Sequence, residues 1–569
     1  MPKALLSDPP GLVRRRCGQL EPAHNASNLA VSRFFGDFAD ATFLSETDLK
    51  SKTAPAANRR TPDPGPADSS NGHFTPPRLK SGIDGLDDIL HGGFPQGHLY
   101  LVEGDPGTGK TTMGLQFLLE GVRKGEKALY ITLSESGAEL RQVAKSHGWS
   151  LDGIEIFEMI PPDEDLTPES QYTVFHPSEV ELAETIGAIL GKVEEAAPQR
   201  LVFDSLAEIR MLARDPLRYR RQIMALKRKV SGGNITVLML DDRTSGRDEL
   251  QLQSIAHGVV SMESLGREYG VIRRRLRIHK LRGSAFREGY HDYVIRTGGL
   301  LIFPRLIAAE HNPGFERRPV RSGLRELDEL LRGGIDAGTS TLFTGPAGCG
   351  KSTIAFSYAH AAAQRGEKAM IFTFDESVAT LLDRARDLGM NPDELIGKGT
   401  LQVQQVDPAE LSPGEFVAEI RSLVDRENLR LLVIDSMNGL LNAMPDEQCL
   451  AMQLHELLAY TGQQGIATIL TLAQTGVIGS AMHAPVDVSY LADTILLFRY
   501  FERAGEIRQA ISVVKKRSGS HERTIRELFM DKGQVRVGKP LAEFEGVLTG
   551  VPRLLNPSPI QEGSPVSGD

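Results

Sequence analysis

The sequence predicts an α/β protein made of two tandem phosphate-loop domains, each a mostly parallel sheet flanked by helices. Three observations carry this. The motif G-x-x-x-x-G-K-[ST] occurs twice, as Gly104–Thr111 and as Gly345–Ser352. Each copy follows an apolar run and precedes a helical pattern, the setting in which such a loop binds phosphate. The segment ahead of each loop is also repeated in register, Lys80-Ser-Gly-Ile-Asp-Gly-Leu86 to Gly93 and Arg321-Ser-Gly-Leu-Arg-Glu-Leu327 to Gly334. The period is far above the roughly 20–50 residues of stacked arrays, so this is a duplicated domain.

Bulk properties set the frame. At 569 residues the chain exceeds a single core. A net charge of −9 excludes a global attraction to nucleic acid or to an anionic membrane, so neither is an expected partner. No apolar run approaches the roughly 20 residues of a membrane span. Cys17, Cys349 and Cys449 are an odd, scattered set. They build neither a disulfide framework nor a zinc site and fit a reducing cytoplasm. Arg14–Arg16 has no apolar core behind it and is not a secretory signal.

In chain order, residues 1–75 read as a disordered extension. Lys52–Gly72 is too rich in Pro, Ala, Ser, Asn and Asp to offset its ordering entropy. Val31–Leu44, with Phe34, Phe35, Phe38 and Phe43, has the spacing of a short amphipathic helix. The first domain spans 76–306. Its expected strands are His98–Glu103, Lys127–Leu133, Arg200–Phe203 and Ile235–Leu240, and its helices Thr111–Arg123, Leu182–Glu195 and Leu217–Val230. The second spans 307–540 on the same plan. Its strands are Ser340–Thr344, Ala369–Phe374, Leu431–Ile434 and Ile466–Thr471, and its helices Thr353–Gln364, Gly414–Asp425 and Gln448–Thr461. Short apolar strands alternating with helices imply a parallel sheet covered on both faces. Val271–Leu281 with Tyr293–Phe303, and Thr494–Tyr500 with Gln509–Val514, are expected to extend each sheet in antiparallel fashion. Residues 541–569 form a Pro/Gly/Ser-rich tail.

The chemistry follows from the loops. Gly107, Thr108, Gly109, Lys110, Thr111 and Thr112 form one phosphate cradle, and Gly348, Cys349, Gly350, Lys351, Ser352 and Thr353 the other. Backbone N–H groups and the helix terminus face the phosphates, the lysine reaches the β/γ-phosphates and the hydroxyl faces Mg²⁺. ATP and Mg²⁺ are the expected cofactors. Asp204 and Asp435 end apolar strands beside the loops, which suits Thr111 with Asp204, and Ser352 with Asp435, to metal binding. The strand after each loop helix also ends in acid, Ser134-Glu135 in the first copy and Asp375-Glu376 in the second. A carboxylate there can orient or deprotonate an attacking oxygen, unless it only caps the next helix. Lys280-Leu-Arg282 and Lys515-Lys-Arg517 place two cations on one strand face, without an evident acid partner, suited to a γ-phosphate held by a neighbouring subunit. The clusters Arg218–Arg221, Lys227–Lys229 and Arg273–Arg275 read as solvated helix and strand-edge charge.

Taken together, the paired loops, the K-S-G-[IL]-x-x-L-D lead-in, the acid-terminated strands and the late K-x-R resemble the KaiC family of circadian-clock ATPases in the RecA superfamily. His521-Glu-Arg-Thr-Ile-Arg526-Glu527 strengthens the match, which runs over residues 76–552. The resemblance implies RecA-like domains in an ATP-dependent, double-ringed homohexamer with nucleotide between subunits. It also implies slow ATP hydrolysis in the first ring and serine/threonine self-phosphorylation in the second. Carried over, Asp375 and Glu376 are the catalytic acids of the second domain, Glu135 is the one retained in the first, and Lys280, Arg282, Lys515 and Arg517 act in trans. Where the family has an adjacent Ser-Thr phosphoacceptor pair, this chain has Ser489-Tyr490, which leaves Ser489 as the acceptor. Phe544–Pro552 resembles a segment that engages a regulatory partner. A signalling switch acting on a sensor kinase without kinase turnover is the alternative. A DNA-dependent motor fits the acidic charge poorly.

Overall fold

The computed structural model describes residues 76–159, 177–213, 215–232, 234–243, 249–266, 270–442, 447–474, 489–531, 533–548 and 553–555. The expectations for residues 1–75, including the Val31–Leu44 helix, lie outside this set.

Two nine-stranded sheets share one topology. In the first, β1 (Leu99–Gly104), β2 (Ala128–Thr132), β3 (Ile154–Glu158), β4 (Arg200–Asp204), β5 (Thr236–Asp242), β6 (Gly258–Leu265), β7 (Arg273–Leu281), β8 (His291–Arg296) and β9 (Gly299–Phe303) lie in the order β3-β2-β4-β5-β1-β6-β7-β8-β9. In the second, β10 (Ser340–Gly345), β11 (Lys368–Thr373), β12 (Leu401–Gln405), β13 (Leu429–Asp435), β14 (Ala467–Ala473), β15 (Thr494–Arg503), β16 (Glu506–Lys516), β17 (Ile525–Asp531) and β18 (Gln534–Pro540) lie in the order β12-β11-β13-β14-β10-β15-β16-β17-β18. The predicted strands are all present, most within one or two residues of their expected ends; β15 and β16 run three residues further towards their shared turn.

Three expectations need correction. Strand β15 runs parallel to β10, not antiparallel, as β6 does to β1; the antiparallel extension begins only with β7 and β16. Tyr293–Phe303 is a hairpin of two strands, turned at the Gly298-Gly299 pair that sequence periodicity alone reads through. Arg273–Arg275 is not a solvated edge. Strand β7 is interior, Arg273 is buried with its guanidinium on the Pro408 carbonyl at 2.9 Å, and Arg275 pairs with Glu263.

Helix α1 (Lys110–Arg123) packs Met113, Leu115, Phe117 and Leu118 on one face of the first sheet. Opposite lie α3 (Pro177–Ala196), α4 (Leu206–Ala213) and α5 (Pro216–Gly232), which bury Ile189, Ile209 and Ile223. The strands are apolar on both sides because both faces are covered. The second sheet repeats this with α7 (Lys351–Gln364) on one face and α9 (Pro413–Glu427) and α10 (Glu447–Gln463) on the other. The halves meet through specific contacts. Gly414 N–H donates to Asp292 at 2.8 Å, and Val271 N–H to the Ala409 carbonyl at 3.1 Å. Of the expected C-terminal tail, residues 541–548 are described and pack on the second sheet. Leu541 and Val547 are buried against Phe501 and Ala510, because residues 541–548 still carry enough apolar surface to pack.

Candidate nucleotide sites

Each phosphate loop joins the end of a central strand to a helix. The N-cap residues Gly109 and Gly350 are left-handed, with φ of 92° and 97°. A side chain there would be strained, and its Cβ would fall 2.7 Å from Ile295 Cδ1 or 2.9 Å from Met530 Sδ. Thr108 is locked by its hydroxyl to the Asp105 carbonyl at 2.7 Å and by Tyr293, whose hydroxyl donates to the Thr108 carbonyl at 2.7 Å. Lys110 Nζ donates to the Gly104 and Asp105 carbonyls, and Lys351 Nζ to those of Gly345 and Pro346 at 3.0 and 2.7 Å. Cys349 is buried 3.7 Å from Lys351 Nζ, and burial pushes its thiol up. Gly107 and Gly348 take positive φ in the same turns, and Thr112 and Thr353 are buried one residue further along each helix.

The strand-end aspartates meet the helix hydroxyls. Thr111 donates to Asp204 at 3.0 Å, and Tyr130 donates to the same oxygen at 2.6 Å. Ser352 and Thr471 donate to Asp435. Burial pushes both carboxyls up, opposed by these hydroxyls. In both halves the peptide bond after the aspartate is cis. A hard carboxylate beside a hydroxyl suits Mg²⁺, which completes its shell with water and phosphate oxygens. No group of three or more His, Cys, Asp or Glu side chains placed to hold a metal ion occurs among the described residues.

The acids after β2 and β11 do not cap the helices that follow. Ser136 caps α2 (Gly137–Ser146) in a reciprocal box with Glu139, and Ser377 caps α8 (Val378–Asp387). Glu135 and Glu376 are therefore left to face the sites, in different settings. Glu135 Oε2 is buried with no hydrogen-bond partner among the described residues. Burial, then Asp204, Glu139 and Asp242, push its carboxyl up. Glu376 instead receives Arg384 on both oxygens, at 2.6 and 2.8 Å. Asp375 accepts from Ser436 Oγ. Arg384 also lines, with Gly348, Lys351, Ser352 and Thr353, a cleft of about 420 Å³ over the second loop. The sequence reading missed two residues. Asp242, at the end of β5, forms an ion pair with Lys110 at 2.6 Å. Arg384 carries no motif signal at all. Asp242 did carry one, an apolar strand ending in acid, as at Asp204.

The K-x-R cations sit away from their own loops. Arg282 N–H donates to the His257 carbonyl, and His257 N–H to that of Leu99, at the start of β1. Arg517 N–H donates to Asp493, and Asp493 N–H to Ser340, at the start of β10. The loops leave the other ends of those six-residue strands, about 17 Å away and beyond an arginine's reach. Lys515 Nζ donates to the Ser489 carbonyl at 2.9 Å, so Ser489 shares that distal end. Arg517 is not without an acid partner, as the sequence suggested. Its guanidinium lies 3.2 Å from Asp493, four residues beyond Ser489, and donates to the Tyr490 carbonyl at 2.8 Å. Lys280 and Arg282 donate to the Gln253 and Ser254 carbonyls.

Comparison with known proteins identifies a family. The family described as "ATPase: KaiC" matches residues 79–307 and again 320–542. The circadian clock oscillator protein KaiC of Acaryochloris marina is 28% identical over 484 residues, 84% of this chain and 91% of that one. The protein of the same name from Parathermosynechococcus lividus is 27% identical, covering 89% and 93%. The circadian clock protein KaiC3 of Synechocystis is 26% identical, covering 84% and 94%. With two matches to this one family that together span most of the chain, the chain belongs to the KaiC ATPase family.

Proposed function

We propose that this KaiC-family ATPase works as a homohexameric double ring in a clock or signalling system, hydrolysing ATP at the first loop and phosphorylating Ser489 across a subunit boundary at the second. The observation that carries this is the separation within one chain. Ser489, Lys515 and Arg517 lie at the opposite end of the sheet from Lys351, so a chain that uses them on a γ-phosphate uses those of a neighbour.

In the transfer, Ser489 Oγ of one subunit attacks the γ-phosphorus held by another. The new O–P bond forms as the bond to the β-phosphate bridging oxygen breaks, ADP leaves, and Asp375 takes the serine proton. Lys351 and the neighbour's Arg517 offset the charge that develops on the phosphoryl oxygens. Ser352 with Asp435, and Thr111 with Asp204, would hold Mg²⁺, which when bound neutralises phosphate charge. At the first site Glu135 takes the proton of an attacking water.

The test uses ATP labelled in its γ-phosphate, with native mass in the presence and absence of ATP. Label retained by the wild-type protein and lost in Ser489→Ala, on a six-subunit particle, supports the reading; equal label in both proteins sinks the kinase assignment. Tyr490, exposed where the family has threonine, favours a second reading in which nucleotide state only switches partner binding. That reading predicts no label on either protein and partner affinity that changes with nucleotide in the wild type but not in Lys351→Ala.

A further inference from the structure

The two glutamates that occupy equivalent places beside the loops are held in opposite ways. Glu135 has a buried, unpartnered oxygen. Glu376 has both oxygens occupied by one guanidinium, at 2.6 and 2.8 Å. The difference lies eight residues on. Position 384 is an arginine on α8, and the residue at the same place on α2 is Val143, which packs against the core. Arg384 is only partly exposed and forms part of the wall of the cleft above Lys351 and Ser352.

We propose that Arg384 is a positioning residue that fixes the division of labour at the second site. It occupies both oxygens of Glu376 and leaves Asp375 as the proton acceptor. The inference rests on the reading that this loop turns over ATP, and it deepens it. A bidentate guanidinium–carboxylate pair is among the strongest neutralising contacts available to a partly exposed acid. For Glu376 to take a proton, it has to give up one of those two hydrogen bonds. Among the described residues Asp375 carries no such clamp; its one side-chain donor there is the Ser436 hydroxyl, a neutral group. The other charges around Glu376 do not alter this. Asp375 and Asp435 face it from the strand ends, Lys351 lies across the cleft and is held on the Gly345 and Pro346 carbonyls, and Asp387 and Asp531 line the outer wall. At the first site Val143 offers no clamp, so Glu135 is free to serve as the base there. The two rings thereby use different members of the acid pair, and the Ser134 substitution costs the first ring little.

The experiment uses the full-length protein carrying Glu135→Gln, which silences first-site hydrolysis and retains nucleotide binding. Second-site ATP turnover is measured against pH, together with affinity for a fluorescent ATP analogue. Asp375→Asn is expected to lower turnover about 100-fold, the usual weight of a general base, and Glu376→Gln less than about 3-fold. Removing the clamp with Arg384→Ala makes Glu376 matter. In that background Glu376→Gln costs about 10-fold or more, and a second ionisation enters the pH–rate profile that Glu376→Gln removes. Arg384→Lys, which restores the charge, returns the wild-type profile in part. A merely structural arginine would change affinity or stability and leave the dependence on Glu376 unmoved. Equal losses from Glu376→Gln with and without Arg384 overturn the proposal, as does an absence of second-site turnover in every variant. Turnover without label on Ser489 overturns the kinase reading alone and leaves this one standing.

Discussion

Lys110 Nζ lies 2.6 Å from Asp242 Oδ1 at the first site, and the residue in the same register of the second sheet is Ala473. An incoming γ-phosphate competes with that carboxylate for the lysine and meets its negative charge at close range. Asp242→Ala is therefore expected to tighten ATP binding at the first site by about 10-fold, or ~1.4 kcal/mol. Ala473→Asp is expected to weaken the second site in the same proportion. Titration with a fluorescent ATP analogue, in proteins with the other loop lysine replaced by alanine, measures both. No change in either direction would show that Lys110 carries no electrostatic penalty from Asp242.

Glu135 is pushed up by burial first and then by Asp204, Glu139 and Asp242. A base in that setting is ionised only above the ordinary glutamate range. First-site hydrolysis should therefore lose activity on acidification earlier than a solvent-exposed glutamate would dictate. Glu135→Gln should lower it by about 100-fold or more. Asp242→Ala, by removing one of the charges, should carry the acid limb to lower pH. Steady-state hydrolysis by a Lys351→Ala protein, followed across pH, reads all three effects; an acid limb indifferent to Asp242→Ala would remove that carboxylate from the account.

The central parallel strands and the two loops were legible because apolar runs and loop glycines write themselves into local sequence. The outer strands were less so. Strand β3 mixes Ile154 and Ile156 with exposed Glu155, and β17 and the edge strand β18 are half-buried, without a continuous apolar run. The direction of β15 is set by its parallel pairing with β10, which no local pattern encodes. Asp204 and Asp435 were readable as strand-end acids. The clamp of Arg384 on Glu376 was not, because one arginine on an amphipathic helix looks like any solvated charge until the tertiary fold sets it beside the loop. The same holds for Arg517, whose partner Asp493 becomes its neighbour only through the pairing of β15 with β16.

Because Arg517 and Lys351 lie at opposite ends of one sheet, defects in the two should complement one another. Arg517→Ala and Lys351→Ala proteins, each with little second-site turnover alone, are expected to regain part of it when mixed and assembled together. Mixed rings contain boundaries at which an intact loop meets an intact Arg517. A random six-membered ring restores about a quarter of boundaries at equal mixing, and the recovered rate should follow that fraction as the ratio is varied. Activity that never rises above the sum of the separate proteins would place Arg517 in service of its own chain's loop.

His291 predicts how the fold responds to acid. Its ring is buried at the start of β8, next to Asp292, which accepts the Gly414 N–H from the second half of the chain. Nε2 faces the Arg287 carbonyl at 3.0 Å and Nδ1 faces the Arg305 N–H at 2.9 Å. Only the neutral ring with its proton on Nε2 satisfies both. A second proton would point at an N–H donor, near the Arg287 and Arg305 guanidinium groups. Burial, helped by those charges, pushes the imidazole down to about 4. The folded state thus favours the neutral ring, and its contribution is complete above the unfolded value near 6.5. It is lost as pH falls from there towards 4, by about 3 kcal/mol in all. His257, stacked on His98 and also pushed down to about 4, titrates through the same window. Urea unfolding at pH 7.5, 6 and 5 should show stability falling with acid. His291→Gln keeps one donor and one acceptor and cannot titrate. It should start lower at pH 7.5 and lose about half as much on the way to pH 5. A variant whose stability falls as steeply as the wild type's would assign the acid sensitivity to other groups.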